Sequence, residues 1–281
     1  TSSLAVAMRR MGKTAYLFPN PETTARYLPY VAQFFAPANF VPACVVAVDI
    51  ATPNLFPQGF SGAVDLCIDH HPSNALYAGD TLLHAEKSAC GEAVLDVIEL
   101  LTGSVTEQEA NLLYIAVTTD TGCFRFNNTT ADTLRCAAAC KDTGADTFAI
   151  NTALFMTKRL PRLQLEAHLT EKMEFYAGGA VAVNTLPNVL LVELGLTEDD
   201  VDDISGFSRE IAGVEIDVML REGPEGGKIP LRCSPKYDAA AICARLGGGG
   251  HRGAAGASVP EGLDAAKKAI LQAIADSGVE L

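Results

Sequence analysis

Three observations predict an α/β first half with a parallel sheet, followed by a smaller α+β unit. Ala43 to Asp49 and Ala63 to Asp69 are apolar runs that each end in an acid, the form expected of buried parallel strands. Helix-period segments alternate with these runs. Beyond Gly178-Gly179 the pattern shifts to short strand-like runs closed by two helices. At 281 residues the chain is long enough for two domains, each burying its own core.

Taken in order, Ser3 to Met11 reads as a helix and Thr14 to Phe18 as a short strand. The two acid-terminated strands follow. Ser88 to Leu101 reads as a helix, and Glu107 to Thr118 as another, opened by Thr106-Glu107-Gln108-Glu109 with capping-box spacing. Thr130 to Lys141 is a third, with Gly144 as its stop. Pro161 to Phe175 is a charged amphipathic helix, and Gly178-Gly179 breaks the chain after it. Ala180 to Asn184, Val189 to Glu193, Val214 to Leu220 and Ile229 to Cys233 read as strands, and Asp238 to Leu246 and Glu261 to Ala275 as helices.

Composition restricts the function. The 48% hydrophobic content indicates a globular chain, and the formal net charge of -13 argues against tracking a long nucleic-acid duplex, since phosphate neutralisation by a basic face supplies most of such affinity. A nucleic-acid substrate would therefore be short and held locally. No run approaches the roughly 18 apolar residues of a membrane span, and no signal-like start is visible, so the chain is read as cytoplasmic, with no membrane partner. The 8 cysteines include no CxxC and fall mostly in apolar segments, which suits free buried thiols. Cys136 and Cys140 read as a packing stripe.

Two strings carry chemistry. Asp69-His70-His71 places a carboxylate and two imidazoles at a strand end, where ligands of doubly wound sheets collect. Asp49 ends the preceding strand, and Asp120 follows the apolar segment Tyr114 to Thr119, read as a third such end. Oxygen and imidazole donors without thiolate suit Mn²⁺ or Mg²⁺ better than structural zinc. Adjacent histidines on a strand point to opposite sides, so His70 and His71 are expected not to share an ion. His84 and His168 read as surface residues. The second string, Gly248-Gly249-Gly250-His251-Arg252-Gly253-Ala254-Ala255-Gly256, is a glycine-rich turn able to wrap closely around a phosphate.

Asp69 to Asn74, Thr119-Asp120-Thr121-Gly122-Cys123-Phe124-Arg125-Phe126 and Gly248 to Gly256 resemble the third motif, fourth motif and C-terminal signature of the DHH phosphoesterases. The nearest type is the small two-domain nanoRNase, or oligoribonuclease and 3′,5′-bisphosphate nucleotide phosphatase. Ser205-Gly206-Phe207-Ser208-Arg209 and Leu231-Arg232-Cys233 extend the resemblance. It implies a DHH catalytic domain over 1–158, a linker helix over 159–179 and a substrate-binding domain over 180–281. It implies two Mn²⁺ ions, with Mg²⁺ as the alternative, held by Asp49 as bridge and by His70 and Asp120. Asp69 would orient the imidazoles and His71 would contact the scissile phosphate. Arg125, Arg209, Arg232, Gly248, Gly249, Gly250 and His251 would bind the terminal phosphate or base, and Arg252 occupies a variable position. Family members begin with a strand and an HxxPDxDxxGS segment, whereas this sequence opens at Thr1 with the pattern of the following helix; omission of that segment is the expectation.

The implied reaction is hydrolysis of very short RNA or of 3′-phosphoadenosine 5′-phosphate (pAp), with a homodimer as an open possibility. Hydrolysis of pApA or cyclic dinucleotides is the rival within the family, and a RecJ-like exonuclease fits the acidic charge less well. A non-catalytic nucleotide-binding protein is the rival from another class.

Overall fold

The computed structural model describes residues 1–281 except 202, 224 and 225. The chain forms two compact units, Thr1–Thr157 and Lys158–Leu281. Unit 1 contains α1 (Ser2–Arg10), α2 (Leu28–Val31), β1 (Val46–Val48), β2 (Leu66–Asp69), β3 (Asp80–Leu83), α3 (Cys90–Thr102), α4 (Glu107–Asp120), α5 (Ala131–Asp142) and α6 (Thr147–Asn151). Its three strands are parallel in the order β1-β2-β3. Val48 and Ile68 face one way, into a core with Ala7, Ile98, Leu113, Val117 and Cys136 from the surrounding helices. Ala47 and Cys67 face the other way, against Phe56, Phe60 and Tyr77. Burial on both faces explains why both strands read as continuous apolar runs.

The helices start where the sequence signals them. Thr106 accepts from the Glu109 amide while the Glu109 carboxylate accepts from the Thr106 amide, completing the capping box of α4. Arg10 of α1 reaches the same buried carboxylate at 3.1 Å, joining α1 to the start of α4. Gly144, at φ +108°, follows the end of α5.

Two local expectations change in unit 1. Thr14 to Phe18 does not form a strand; Leu17 alone makes an isolated bridge, to Phe35. Pro19 and Pro21 follow directly, and their missing N–H groups prevent a longer ladder. The segment just before His84 forms β3, whose Asp80–Leu83 register on Leu66–Asp69 extends the sheet.

Unit 2 contains α7 (Leu160–Lys172), β4 (Glu174–Tyr176), β5 (Val181–Leu186), α8 (Asn188–Leu194), β6 (Ile216–Gly223), β7 (Gly226–Cys233), α9 (Ala239–Ala244), β8 (Gly249–His251), β9 (Ala254–Val259) and α10 (Leu263–Ala275). The six strands are ordered β4-β5-β6-β7-β9-β8. Val181, Ile216, Leu231 and Ala255 lie on one face, packed with Ile242 of α9 and Ile270 of α10. On the opposite face Leu186 and Met219 meet Leu165 and Leu169 of α7 and Leu191 of α8. The helix that the sequence suggested as a linker therefore packs within unit 2.

Val189 to Glu193 is helical rather than extended. Pro187 precedes the first turn, Gly195 closes the last one at φ +62°, and Leu190, Leu191 and Leu194 present the helical spacing that the core takes up. Pro161 to Phe175 is helical only to Lys172, because Phe175 pairs with Ala182 in an antiparallel ladder. The glycine-rich string is a β-hairpin rather than an open turn, with Gly249, Gly250 and His251 opposite Gly256, Ala255 and Ala254. Among the described residues no helix is long and apolar enough to cross a membrane.

Candidate active site

β1 and β2 run side by side, so the residues that follow them emerge at one end of the sheet. Asp49 leaves β1 with φ +66°, a conformation that aspartate tolerates better than most residues, while its amide still donates to the Ile68 carbonyl at 2.9 Å. The chain thus turns sharply just where β2 delivers Asp69, His70 and His71.

Asp69 is fully buried and organises this end. Its Oδ1 accepts from the His70 amide and from His71 Nδ1, both at 2.8 Å, and its Oδ2 accepts from Asn74 Nδ2 at 2.6 Å. Burial opposes the carboxylate charge, but the bonds from Asn74, His71 and His70 outweigh it and hold the pKa below the ordinary range. With His71 Nδ1 committed to Asp69, the other ring nitrogen is left for a ligand.

His70 is fixed by a different device. Its Nδ1 donates to the Lys87 carbonyl at 3.1 Å, and its Nε2 lies 3.3 Å from Asp49 Oδ1 and 3.7 Å from Asp120 Oδ2. Burial lowers the His70 pKa, but the bonds to Asp49 and Lys87 and the charges of Asp49 and Asp120 raise it to about 9. Asp120 is pushed up to about 7, first by burial and then by the Asp49 charge, with His70, His71 and the Cys90 amide acting against both. Two carboxylates converging on one imidazole nitrogen form a site that favours positive charge. Asp49, His70 and His71 offer ligand atoms within 4.8 Å of one another, and Asp120 joins them through His70.

This donor set fits a hard or borderline divalent cation. The Cys90 thiol is nearby but buried, with its pKa pushed well up by desolvation and by Asp49, and it donates to the Ile68 carbonyl at 3.2 Å. It therefore remains a thiol and stays out of the donor set.

Two site expectations are corrected here. Asp120 is the last residue of α4, at a helix end rather than a strand end. His70 and His71 also do not diverge; both approach Asp49, at 3.3 and 3.7 Å, because strand alternation stops once β2 ends at Asp69.

The segment after Asp120 is tightly turned. Gly122, Cys123 and Phe124 all have positive φ, and the Thr121 carbonyl accepts from the Arg125 and Phe126 amides at 3.0 Å. Arg125 is exposed, with Nε bonded to the Gly122 carbonyl at 2.8 Å.

In unit 2, Arg232 and His251 fall into one cross-strand row. Asp217 of β6 pairs with Arg232 of β7, Arg232 with Ala254 of β9, and Ala254 with His251 of β8. Residues paired across a sheet share a face, so these side chains lie in one row. A Cβ on Gly248 or Gly250 would collide with β9, whereas Gly249 faces open space on the side of His251. Packing accounts for two of the glycines and leaves Gly249 available for close approach by a ligand. Arg209 donates to the Val214 carbonyl. Asp217 escaped the sequence reading, although it stands out as an acid flanked by Ile216 and Val218 in the largely apolar run Val214 to Leu220.

Comparison with known proteins agrees with this architecture. The family model described as the DHHA1 domain matches residues 178–276. The bifunctional oligoribonuclease and PAP phosphatase NrnA of Thermus thermophilus is 32% identical over 272 residues, covering 95% of this chain and 82% of the relative. The Bacillus subtilis protein of the same description is 27% identical over 205 residues, covering 71% and 64%. The crystal structure of an exopolyphosphatase-related protein from Bacteroides fragilis superposes with a TM-score of 0.84 at 20% identity, covering 98% of this chain and 86% of that one, which establishes a shared fold. With strand-end acids and paired histidines in unit 1 and a DHHA1 domain in unit 2, the chain belongs to the NrnA-type family of DHH phosphoesterases.

Proposed function

We propose that the protein is a manganese-dependent phosphoesterase that hydrolyses short oligoribonucleotides and pAp to mononucleotides. The observation that carries this reading is the convergence of Asp49 and Asp120 on His70 Nε2, beside a His71 ring held by buried Asp69. Family membership supports the substrate class, since the Thermus thermophilus and Bacillus subtilis relatives are described as oligoribonuclease and PAP phosphatase. Two divalent ions held by Asp49, His70 and Asp120 with further ligands would neutralise phosphate charge and lower the pKa of an attacking water.

The chain's own residues supply the rest. The Lys87 carbonyl fixes the His70 tautomer so that Nε2 faces the carboxylates. Asp69 fixes the His71 ring and leaves Nε2 to meet a phosphate oxygen. In unit 2, Arg232 and His251 provide donors on one sheet face, and Gly249 leaves backbone accessible beside them. A net charge of -13 disfavours extended phosphate tracks, so these local contacts suit a small substrate.

The test is a length series of 5′-labelled RNAs from dimer to 24-mer, with pAp in parallel, in Mn²⁺ and after chelation. Expected are preference for pAp or two to five nucleotides, loss of turnover on chelation, and restoration by Mn²⁺. His70→Ala or Asp120→Ala should reduce turnover by about 100-fold or more while the fold persists. Faster cleavage of the 24-mer, or near wild-type turnover by either variant, would remove the reading.

A further inference from the structure

One face of the unit 2 sheet holds a buried carboxylate that its core does not require. Asp217 is 1% exposed and lies between apolar neighbours along β6. Its Oδ2 accepts from the Gly206 amide at 2.7 Å, and its Oδ1 accepts from the Ser208 hydroxyl. Ser208 Oγ in turn accepts from Asn184 Nδ2 at 3.0 Å, in a pair that is itself buried. Every donor in this chain points toward Asp217, so the carboxylate is its terminal acceptor.

The two residues it grips belong to the turn Ser205 to Arg209, which Gly206 enters at φ +100°. A Cβ on Gly206 would lie 3.6 Å from Arg232 Cγ, so the stem of Arg232 runs past this turn. Asp217 is also the cross-strand partner of Arg232, and their charges attract. The guanidinium has a hydrogen bond to the Leu231 carbonyl at 3.2 Å, which leaves most of its donors for other use. Across Ala254, two strand spacings or about 10 Å away, stands exposed His251. A small residue between a guanidinium and an imidazole leaves room for the phosphate and sugar of a mononucleotide.

We propose that Asp217 is the positioning residue of this row, fixing the Ser205–Arg209 turn and the direction of Arg232 so that the guanidinium receives a nucleotide phosphate. The inference rests on the reading above that unit 2 takes a nucleotide. Asp217 does not touch substrate; it acts through Gly206, Ser208 and Arg232. An uncharged side chain would fill the space but would neither accept from both the hydroxyl and the amide nor attract the guanidinium. Its loss should therefore weaken substrate capture more than turnover.

The experiment uses the full chain with Mn²⁺, measuring pAp kinetics and, by calorimetry, binding of AMP as a probe of the same phosphate and base. Asp217→Asn should raise the KM for pAp about tenfold with a far smaller fall in kcat, and weaken AMP binding about tenfold. Ser208→Ala, which removes one of the two donors, should move both in the same direction by about threefold. Folded Asp217→Asn with KM and AMP affinity within twofold of wild type overturns the inference. Should that variant fail to fold, unchanged KM and AMP binding in Ser208→Ala overturns it equally. Wild-type protein that neither hydrolyses pAp nor binds AMP overturns the functional reading, and this inference with it.

Discussion

Replacing Asp69 with asparagine alters one atom and a charge at a position where three donors converge. Oδ1 serves His71 Nδ1 and the His70 amide, while Oδ2 serves Asn74 Nδ2. An asparagine has a single acceptor oxygen, so its NH₂ must face one of these donors. If the oxygen stays with the histidines, the NH₂ meets Asn74, which cannot simply invert because its own oxygen accepts from the Leu76 amide at 2.7 Å. If the oxygen turns toward Asn74, His71 must present a bare Nδ1 and carry its proton on the other nitrogen. Either way one buried polar contact is lost, at about 1–3 kcal/mol, partly offset because a charge no longer needs burying.

A net loss of about 2 kcal/mol lowers the melting temperature of a domain of this size by about 4–8 °C. The effect on chemistry should be larger, about 10–100-fold in kcat/KM, as expected when a carboxylate that sets an imidazole's orientation is neutralised. Circular dichroism melting and pAp kinetics read the two effects separately. Asp69→Asn with a melting temperature within 1 °C and kcat/KM within twofold of wild type would refute the role assigned to the buried carboxylate.

Gly122→Ala places a Cβ against the Phe126 ring at a backbone φ of +56° and should destabilise unit 1 by about 2–4 kcal/mol in urea unfolding. Adding Phe126→Ala should recover the steric part alone, and a loss under about 0.5 kcal/mol for the single variant would contradict the strained turn. Burial raises the Asp217 pKa despite Ser208, Gly206 and Arg232, so its ionisation costs folding energy. That cost is absent below the unfolded carboxylate pKa of about 4 and grows as pH rises through the folded value. The melting temperature of Asp217→Asn minus that of wild type should therefore increase from pH 4 to pH 7, and a difference that falls over this range would reverse the assigned sign.

What was readable in the sequence depended on whether the signal was local. The Thr106–Glu109 cap is a contact across one helical turn, and both of its hydrogen bonds form. The acid-terminated runs before Asp49 and His70 were equally legible, because continuous apolar strands need two covered faces. Val189 to Glu193 misled because a five-residue apolar run suits either state; flanking Pro187 and Gly195 were the better guide. The meeting of His70 and His71 at Asp49 was hidden for another reason. Alternation holds only within a strand, and β2 ends one residue earlier. Asp217 was visible as an acid in an apolar run, but its importance depends on Arg232 and Ser208, placed beside it by pairing and by a turn.

The two units treat charge in opposite ways, and this bears on the size of substrate the protein can handle. In unit 1, the carboxylates of Asp49 and Asp120 crowd around His70, so this end of the sheet favours cations. In unit 2, the row offers a half-buried guanidinium and an exposed imidazole with one small residue between them, while the carboxylate proposed to orient the guanidinium is buried. A polyanion gains from each added phosphate only when each meets a cation, and a chain of net charge -13 supplies few. A phosphate received by the unit 2 row meets donors there, whereas each further phosphate of a longer chain meets a protein of net negative charge. The charge balance itself therefore disfavours long RNA.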